Sequence, residues 1–157
     1  VDTVEIACLA QLINVIAPIT TIRNGGIFKQ TIYHPFHMLS KYGHGVTMKA
    51  VVDAETYKCE FGDLPIVEPA VVYNEETDEV RVFVLNCSQD EDTEFEMELQ
   101  GYGDKKVKKH LVLNGDDLEA RNTFEDPDSV VMKELEAPAD GTKVVLPKMS
   151  WNIVIYG

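Results

Sequence analysis

The chain has 157 residues and a hydrophobic content of 45%, which predicts one globular core and argues against wholesale disorder. Its formal net charge of -13 and isoelectric point near 4.6 argue against nucleic acid as a partner, because phosphate binding needs clustered Lys and Arg. They also disfavour an anionic membrane surface. No run reaches the ~18 apolar residues of a membrane span, and no signal peptide is recognisable. The chain starts at Val1 and not at Met, so we expect a piece of a longer protein.

The cysteine pattern favours free thiols. Three cysteines, far apart and odd in number, argue against a disulfide framework; they are Cys8, Cys59 and Cys87. We expect them to be buried and reduced, which favours a cytoplasmic location. No Cys-x-x-Cys or His-x-x-x-His pattern indicates a metal site, and no cofactor is expected.

Residues 2–18 carry the pattern of a helix. Asp2, with Glu5 three residues later, makes a start like a capping box, and Pro18 ends the segment. The apolar side chains fall on two faces, one with Ile6, Leu9, Ala10, Ile13 and Ile16 and the other with Val4, Cys8, Leu12 and Val15. A helix that is apolar nearly all round must be buried on most sides, so we expect its packing partners to lie upstream of Val1.

A short β-rich run and a second helix follow. The run APITTI, residues 17–22, predicts a strand, and a double glycine then opens a loop. The segment HPFHMLSKYG, residues 34–43, predicts a helix, with Pro35 suited to its first turn and Gly43 to its end. Helix, strand, loop and helix in this order are typical of an α/β unit, which we place at residues 1–45.

After Gly45 the pattern changes to short β-rich runs broken by turn residues. In TEFEMEL, residues 93–99, glutamates alternate with apolar residues, the period of a strand with one face in water. Residues 74–78 predict the turn of a hairpin. The β-rich runs are residues 46–61, 70–86, 93–100, 105–113, 143–147 and 151–157. We therefore predict a mainly β fold, with an antiparallel, jelly-roll-like β-sandwich over residues 46–157.

No complete catalytic set is recognisable in the sequence. A glycosidase needs a proton-donating carboxylate and a nucleophilic or basic one at a fixed separation, but the acidic runs here are typical of solvated turns and a wet strand face. Trp151 is expected to pack in the core and not to stack on a sugar. The histidines have no serine or cysteine partner at a recognisable spacing and are expected to be ordinary surface or half-buried residues: His34, His37, His44 and His110.

The loop before the second helix is dense in groups that contact ligands. Gln30 offers a donor and an acceptor on a planar amide, which suits a sugar hydroxyl. It follows a strand and precedes a helix, and in α/β barrels that is the end where active sites are built. Phe28 and Tyr33 are placed to flank a ligand. A competing interpretation, which the chemistry alone favours, is an ordinary loop whose amide caps a helix and whose aromatics fill a domain junction.

Three sequence segments in the same order resemble the α-L-arabinofuranosidases of glycoside hydrolase family 51. The segment IACLAQLINVIAPI, a double glycine and KQTIYHPF together resemble the last segment of that family's (β/α)8 barrel. NTFEDPDSVV, residues 122–131, resembles an Asn-Thr-Phe-Glu-x-Pro motif of its C-terminal sandwich, and WNIVIYG its last strand. Residues 1–45 would then be the last helix, strand and helix of the catalytic barrel, and residues 46–157 the C-terminal domain.

The resemblance implies a retaining, exo-acting hydrolase. Such an enzyme removes terminal α-L-arabinofuranosyl groups from arabinoxylan, arabinan or their oligosaccharides. The two family glutamates that act as acid/base and nucleophile lie on earlier barrel strands, before Val1, so no catalytic residue is assigned here and the chain alone is expected to be inactive. Gln30 aligns with the family glutamine that hydrogen-bonds the arabinose.

The neighbours of Gln30 depart from the family pattern. Phe28 stands where a tryptophan is common, Lys29 where an arginine is common, and His34 where a second aromatic is frequent. These three changes bear on linkage and aglycone preference. Phe28, Lys29 and Tyr33 are the residues expected close to the substrate. The resemblance also implies the rest of the barrel as partner and a homo-oligomer for the complete protein.

Two further interpretations stay open at this point. One is a stand-alone, non-catalytic sandwich that binds carbohydrate or another partner, which would not expose a helix with two apolar faces. The other is a structural accessory domain in which Gln30 does not contact the sugar.

Overall fold

The computed structural model describes residues 6–115, 117–138 and 141–157, in which one helix and twelve strands are found. The helix is α1 (Tyr33–Tyr42). The strands are β1 (Ile19–Thr21), β2 (Ile27–Lys29), β3 (Val46–Met48), β4 (Thr56–Cys59), β5 (Gly62–Pro65), β6 (Val67–Asn74), β7 (Glu79–Asn86), β8 (Thr93–Glu96), β9 (Val107–Asn114), β10 (Lys133–Leu135), β11 (Lys143–Leu146) and β12 (Ser150–Tyr156).

A six-stranded antiparallel sheet forms the centre of the molecule, with the strand order β10-β9-β12-β7-β6-β3. The last strand of the chain, β12, lies in the middle and pairs along its length with β7 on one side and β9 on the other. The predicted hairpin is confirmed, because β6 and β7 pair from Val67↔Asn86 to Asn74↔Glu79 around the turn at residues 75–78.

Both faces of this sheet are buried, which explains why its strands read as nearly continuous apolar runs. Along β12, Val154 and Tyr156 point to one core, and Ile153 and Ile155 point to the other. The first core is covered by the two-stranded β8–β11 sheet, whose Val144 and Leu146 are fully or almost fully buried.

The second core is covered by α1, whose Met38 and Tyr42 pack against it. Arg81 fixes the end of this helix on the sheet: its Nη1 donates to the Tyr42 carbonyl at 3.3 Å, and its Nη2 binds Glu79 at 2.8 Å. The helix ends where its sequence predicts, with the Gly43 N–H on the Leu39 carbonyl. The predicted second helix is therefore confirmed, and it lies on the six-stranded sheet.

The prediction of a mainly β, antiparallel fold is confirmed. The alternation in β8 is also as predicted, since Phe95 is half-buried between exposed Glu94 and Glu96. Both glutamates face Lys143 of β11, at 3.0 and 3.3 Å. The assignment of residues 1–45 to a barrel stays a prediction, because their described part forms only the β1–β2 hairpin and α1.

The predicted first helix is wrong over residues 6–18. This segment is irregular, and its large apolar side chains are mostly in solvent: Ile6, Leu12, Ile13, Val15 and Ile16 are 53–85% exposed. The start of the prediction, residues 2–5, lies outside the described residues.

Asn14 explains the irregular path. Gln11, Asn14 and Val15 have φ near +60°, which no right-handed helix allows. The Asn14 amide oxygen accepts the Thr21 N–H at 2.7 Å, and the Asn14 N–H bonds to the Ile19 carbonyl at 2.8 Å. Such side-chain contacts with the backbone compete with a helix, and no neighbour among the described residues covers the apolar faces that would stabilise one.

Two expectations about burial are corrected. His34 and His110 are buried, at 8% and 2% exposed, and neither at the surface nor half-buried. The cysteines are free in the described structure, but Cys8 is exposed and the other two are only half-buried. Trp151 packs as expected, with its ring 6.0 Å from that of Phe83.

Val144 and Val145 test whether β11 closes the first core. They are adjacent on one strand, at 5% and 55% exposed. We expect Val144→Ala to lower the free energy of unfolding by about 2 kcal/mol, because it removes two buried carbons and leaves a cavity. Val145→Ala is the matched control and should change it by less than about 0.5 kcal/mol. Equal effects in urea denaturation would contradict the two-layer packing.

Buried His110 predicts an acid-sensitive fold. Its Nε2 lies 3.0 Å from Asn152 Oδ1, and burial lowers its pKa despite that hydrogen bond. The unfolded chain thus binds this proton more readily, so the stability contribution is complete above pH ~6.5 and is lost as the pH falls below it. We expect the slope of unfolding free energy between pH 7 and 5 to be shallower in His110→Gln. A parental slope in His110→Gln would contradict this prediction.

Candidate functional site

The β1–β2 hairpin brings three polar or aromatic side chains to one face. Thr20 pairs with Phe28, and Gln30 follows Phe28 by two residues and so faces the same side. The Gln30 N–H extends the ladder by bonding to the Pro18 carbonyl at 2.8 Å. The Gln30 Nε2 donates to Thr20 Oγ1 at 3.0 Å. The side chain is half-buried, and its Oε1 accepts no hydrogen bond from any described residue.

A loop between β9 and β10, residues 121–130, lies directly against this hairpin; residues 46–157, to which it belongs, are called the β domain below. Asn122 is 5% exposed and donates through Nδ2 to two carbonyls, that of Lys29 at 2.8 Å and that of Val130 at 2.9 Å. Its Oδ1 accepts the Val130 N–H at 2.7 Å. The side chain therefore closes its own loop and attaches that loop to β2.

An edge-to-face contact between Phe28 and Phe124 reinforces this attachment. The two ring centroids are 4.7 Å apart and the ring planes are inclined by 83°. This is the geometry that aromatic quadrupoles favour. The contact therefore holds the β1–β2 hairpin against the 121–130 loop.

A groove of about 410 Å³ opens between the two segments. Its lining is mostly hydroxyl, amide and aromatic, with one basic and one acidic side chain. The lining residues are Val15, Thr20, Phe28, Gln30, Thr31, Arg121, Asn122, Thr123, Phe124 and Glu125. The segment KQTIYHPF, with Gln30, and the segment NTFEDPDSVV, with Asn122, therefore both contribute to one groove.

Lys29 and Tyr33 lie outside this groove. The Lys29 ammonium is 4.9 Å from the centroid of the Tyr33 ring, and that ring stacks on His37 with centroids 5.4 Å apart. A cation over an aromatic face is stabilised by the ring quadrupole. The hairpin is thus tied to the first turn of α1 by these side chains, while Phe28 and Gln30 face the groove.

His34 is buried beneath the same junction. Burial, together with the charges of Lys29 and His37, lowers its pKa, so the ring is neutral at pH 7. Its Nε2 has no hydrogen-bond partner in the described part of the chain. The charge of Asp128 and a hydrogen bond with the Val130 backbone raise this pKa and partly offset the lowering. Both residues belong to the 121–130 loop, so His34 lies next to it.

The groove has the chemistry of a polar ligand site and not of a complete catalytic centre. Amides and hydroxyls beside aromatic rings suit the hydroxyl groups and the apolar faces of a sugar. Within the described ranges, no group of three or more His, Cys, Asp or Glu is placed to hold a metal ion. No helix of the described residues is long and apolar enough to cross a membrane.

Residues 1–150 match the model of the alpha-L-arabinofuranosidase C-terminal domain family. The chain belongs to this family. It is 39% identical over 163 residues to an intracellular exo-alpha-(1->5)-L-arabinofuranosidase of Acetivibrio thermocellus, and 35% identical over 156 residues to one of Bacillus subtilis. The matches cover 99% and 98% of this chain.

The chain spans about a third of these relatives, 32% and 31% of their lengths. An exo-alpha-(1->6)-L-arabinofuranosidase of Bifidobacterium longum is 36% identical over 98% of the chain. Among solved structures, the family 51 α-L-arabinofuranosidase AbfB of Bifidobacterium longum superposes with a TM-score of 0.88 at 28% identity, over 98% of this chain and 30% of that one. The resemblance inferred from the sequence motifs is confirmed.

The structure contradicts one part of the competing interpretation of the loop before α1 and supports another. The Gln30 side chain does not cap α1, as the competing interpretation had it, because it bonds to Thr20 and the helix N-cap is Ile32 without a side-chain bond. The aromatics do fill a junction, as that interpretation expected for Phe28. Asn122 was known only as part of a family motif. Nothing in its spacing indicates a bond to a carbonyl 93 residues earlier.

Proposed function

We propose that this chain is the C-terminal part of a retaining exo-α-L-arabinofuranosidase of glycoside hydrolase family 51. The complete enzyme would hydrolyse terminal α-L-arabinofuranosyl groups in arabinoxylan and arabinan oligosaccharides. The observation that carries the proposal is the match of nearly the whole chain to enzymes named exo-arabinofuranosidases, at 35–39% identity in the first two. Those relatives are about three times as long, so room for a catalytic barrel exists in proteins of this kind.

Gln30 is the residue of this chain that we propose contacts the sugar. Its Oε1, which accepts no hydrogen bond from the described residues, and its Nε2 offer an acceptor and a donor in the lining of the groove. A sugar hydroxyl can satisfy both by displacing the Thr20 contact. Phe28 would line the same subsite, and Lys29 and Tyr33 would support the loop from the α1 side.

The two carboxylates of the retaining mechanism are proposed to lie in the rest of the barrel, outside this chain. A covalent glycosyl intermediate needs a nucleophile and an acid/base about 5 Å apart, so the 157-residue chain alone should not turn over an aryl α-L-arabinofuranoside. The exposed apolar side chains of residues 6–16 support a barrel as the packing partner, because a stand-alone binding module would not keep such a segment in water. We further propose that the complete protein is a cytoplasmic homo-oligomer. The relatives' names call them intracellular.

Replacing Gln30 in the complete enzyme tests its role. We expect Gln30→Ala to lower kcat/KM for an aryl α-L-arabinofuranoside by about 1–3 kcal/mol in transition-state stabilisation, because buried groups of the substrate lose their partner. Gln100→Ala is the matched control, since it removes an exposed amide outside the groove. It should leave kcat/KM unchanged.

Unchanged kinetics in Gln30→Ala would reject sugar contact and favour a structural accessory domain. Turnover by the isolated 157-residue chain would reject the proposed division of the catalytic residues between this chain and the barrel.

A further inference from the structure

We propose that Asn122, a residue of the β domain, positions Gln30 for the substrate. This inference rests on the proposed function, in which Gln30 contacts the sugar. Asn122 itself is assigned no contact with substrate, since both of its N–H groups already bind backbone carbonyls and it is 5% exposed. Its effect on the reaction therefore passes through Gln30.

The peptide unit between Lys29 and Gln30 is hydrogen-bonded at both ends. The carbonyl of Lys29 and the N–H of Gln30 belong to the same planar group. Asn122 Nδ2 holds the carbonyl at 2.8 Å, and the Pro18 carbonyl holds the N–H at 2.8 Å. With both ends bound, the plane cannot rotate without breaking one of these two hydrogen bonds. That plane fixes the position of the Gln30 Cα and the axis of the N–Cα bond from which the side chain extends.

Asn122 is in turn rigid. Its amide is anchored to both the N–H and the carbonyl of Val130, at 2.7 and 2.9 Å, so it cannot follow a moving β2. Val130 is 5% exposed. Phe124 adds a second hold through its ring contact with Phe28, two residues before Gln30. The β domain thus fixes the backbone on both sides of Lys29.

A double-mutant cycle in the complete enzyme tests this positioning role. Asn122→Ala is expected to lower kcat/KM for an aryl α-L-arabinofuranoside about tenfold when Gln30 is present, and less than about twofold in the Gln30→Ala background. A merely structural loss would be the same in both backgrounds. Melting temperature is measured alongside, so that activity is compared only among folded enzymes.

Asn86 supplies the matched control. It is 2% exposed, and its Nδ2 binds the carbonyls of Leu146 and Pro147 while its Oδ1 accepts the Ser88 N–H. It is therefore the same kind of buried clamp, and its bonds join parts of the β domain to one another and not to β2. Asn86→Ala should lower the melting temperature without coupling to Gln30.

If Asn122→Ala fails to fold, Phe124→Ala provides a second test. Phe124 is 40% exposed, so truncating its side chain should leave the enzyme folded. It should show the same dependence on Gln30, with a smaller loss of about threefold. Additive losses for both variants would overturn the positioning role while leaving the proposed function intact. If Gln30→Ala alone has no effect, the sugar contact of Gln30 fails, and the positioning role fails with it.

Discussion

The contact between Asn122 and the Lys29 carbonyl is the constraint on which the candidate site depends. It joins two segments separated by 93 residues in sequence. Together with the bond to the Val130 carbonyl, it uses both N–H groups of the buried Asn122 amide. A buried polar side chain of this kind is costly unless fully paired, so the two segments are held in one arrangement. The groove, the Phe28–Phe124 contact and the direction of Gln30 all follow from that arrangement.

The six-stranded sheet provides the rigid support for this junction. Its central strand β12 is bonded on both sides and buried on both faces, so the loops that leave its neighbours start from fixed points. The helix α1 lies on one face and is attached to it by Arg81, which fixes the residues that follow Gln30. The sheet and the 121–130 loop thus contact the segment around Gln30 at two places, through α1 and through β2.

Much of this could be predicted from the sequence because the pattern was local. The alternation in β8, the β6–β7 turn and the end of α1 at Gly43 each follow from neighbouring residues, and each is found in the structure. The helix prediction failed over residues 6–18 because its apolar pattern needs neighbours that the described chain does not supply, and Asn14 directs the backbone elsewhere. Asn122 could not be predicted as a site residue, because its partner is the backbone carbonyl of Lys29. Every residue type has that carbonyl, so the residue at position 29 gives no sequence signal.

A crystal structure of the complete protein with arabinose bound would test the central claim most directly. We expect the Gln30 amide to lie within about 3.2 Å of a sugar hydroxyl. We also expect Asn122 Nδ2 still to donate to the Lys29 carbonyl. A sugar bound away from Gln30, or a Lys29 carbonyl that has left Asn122, would contradict the positioning of Gln30 by Asn122.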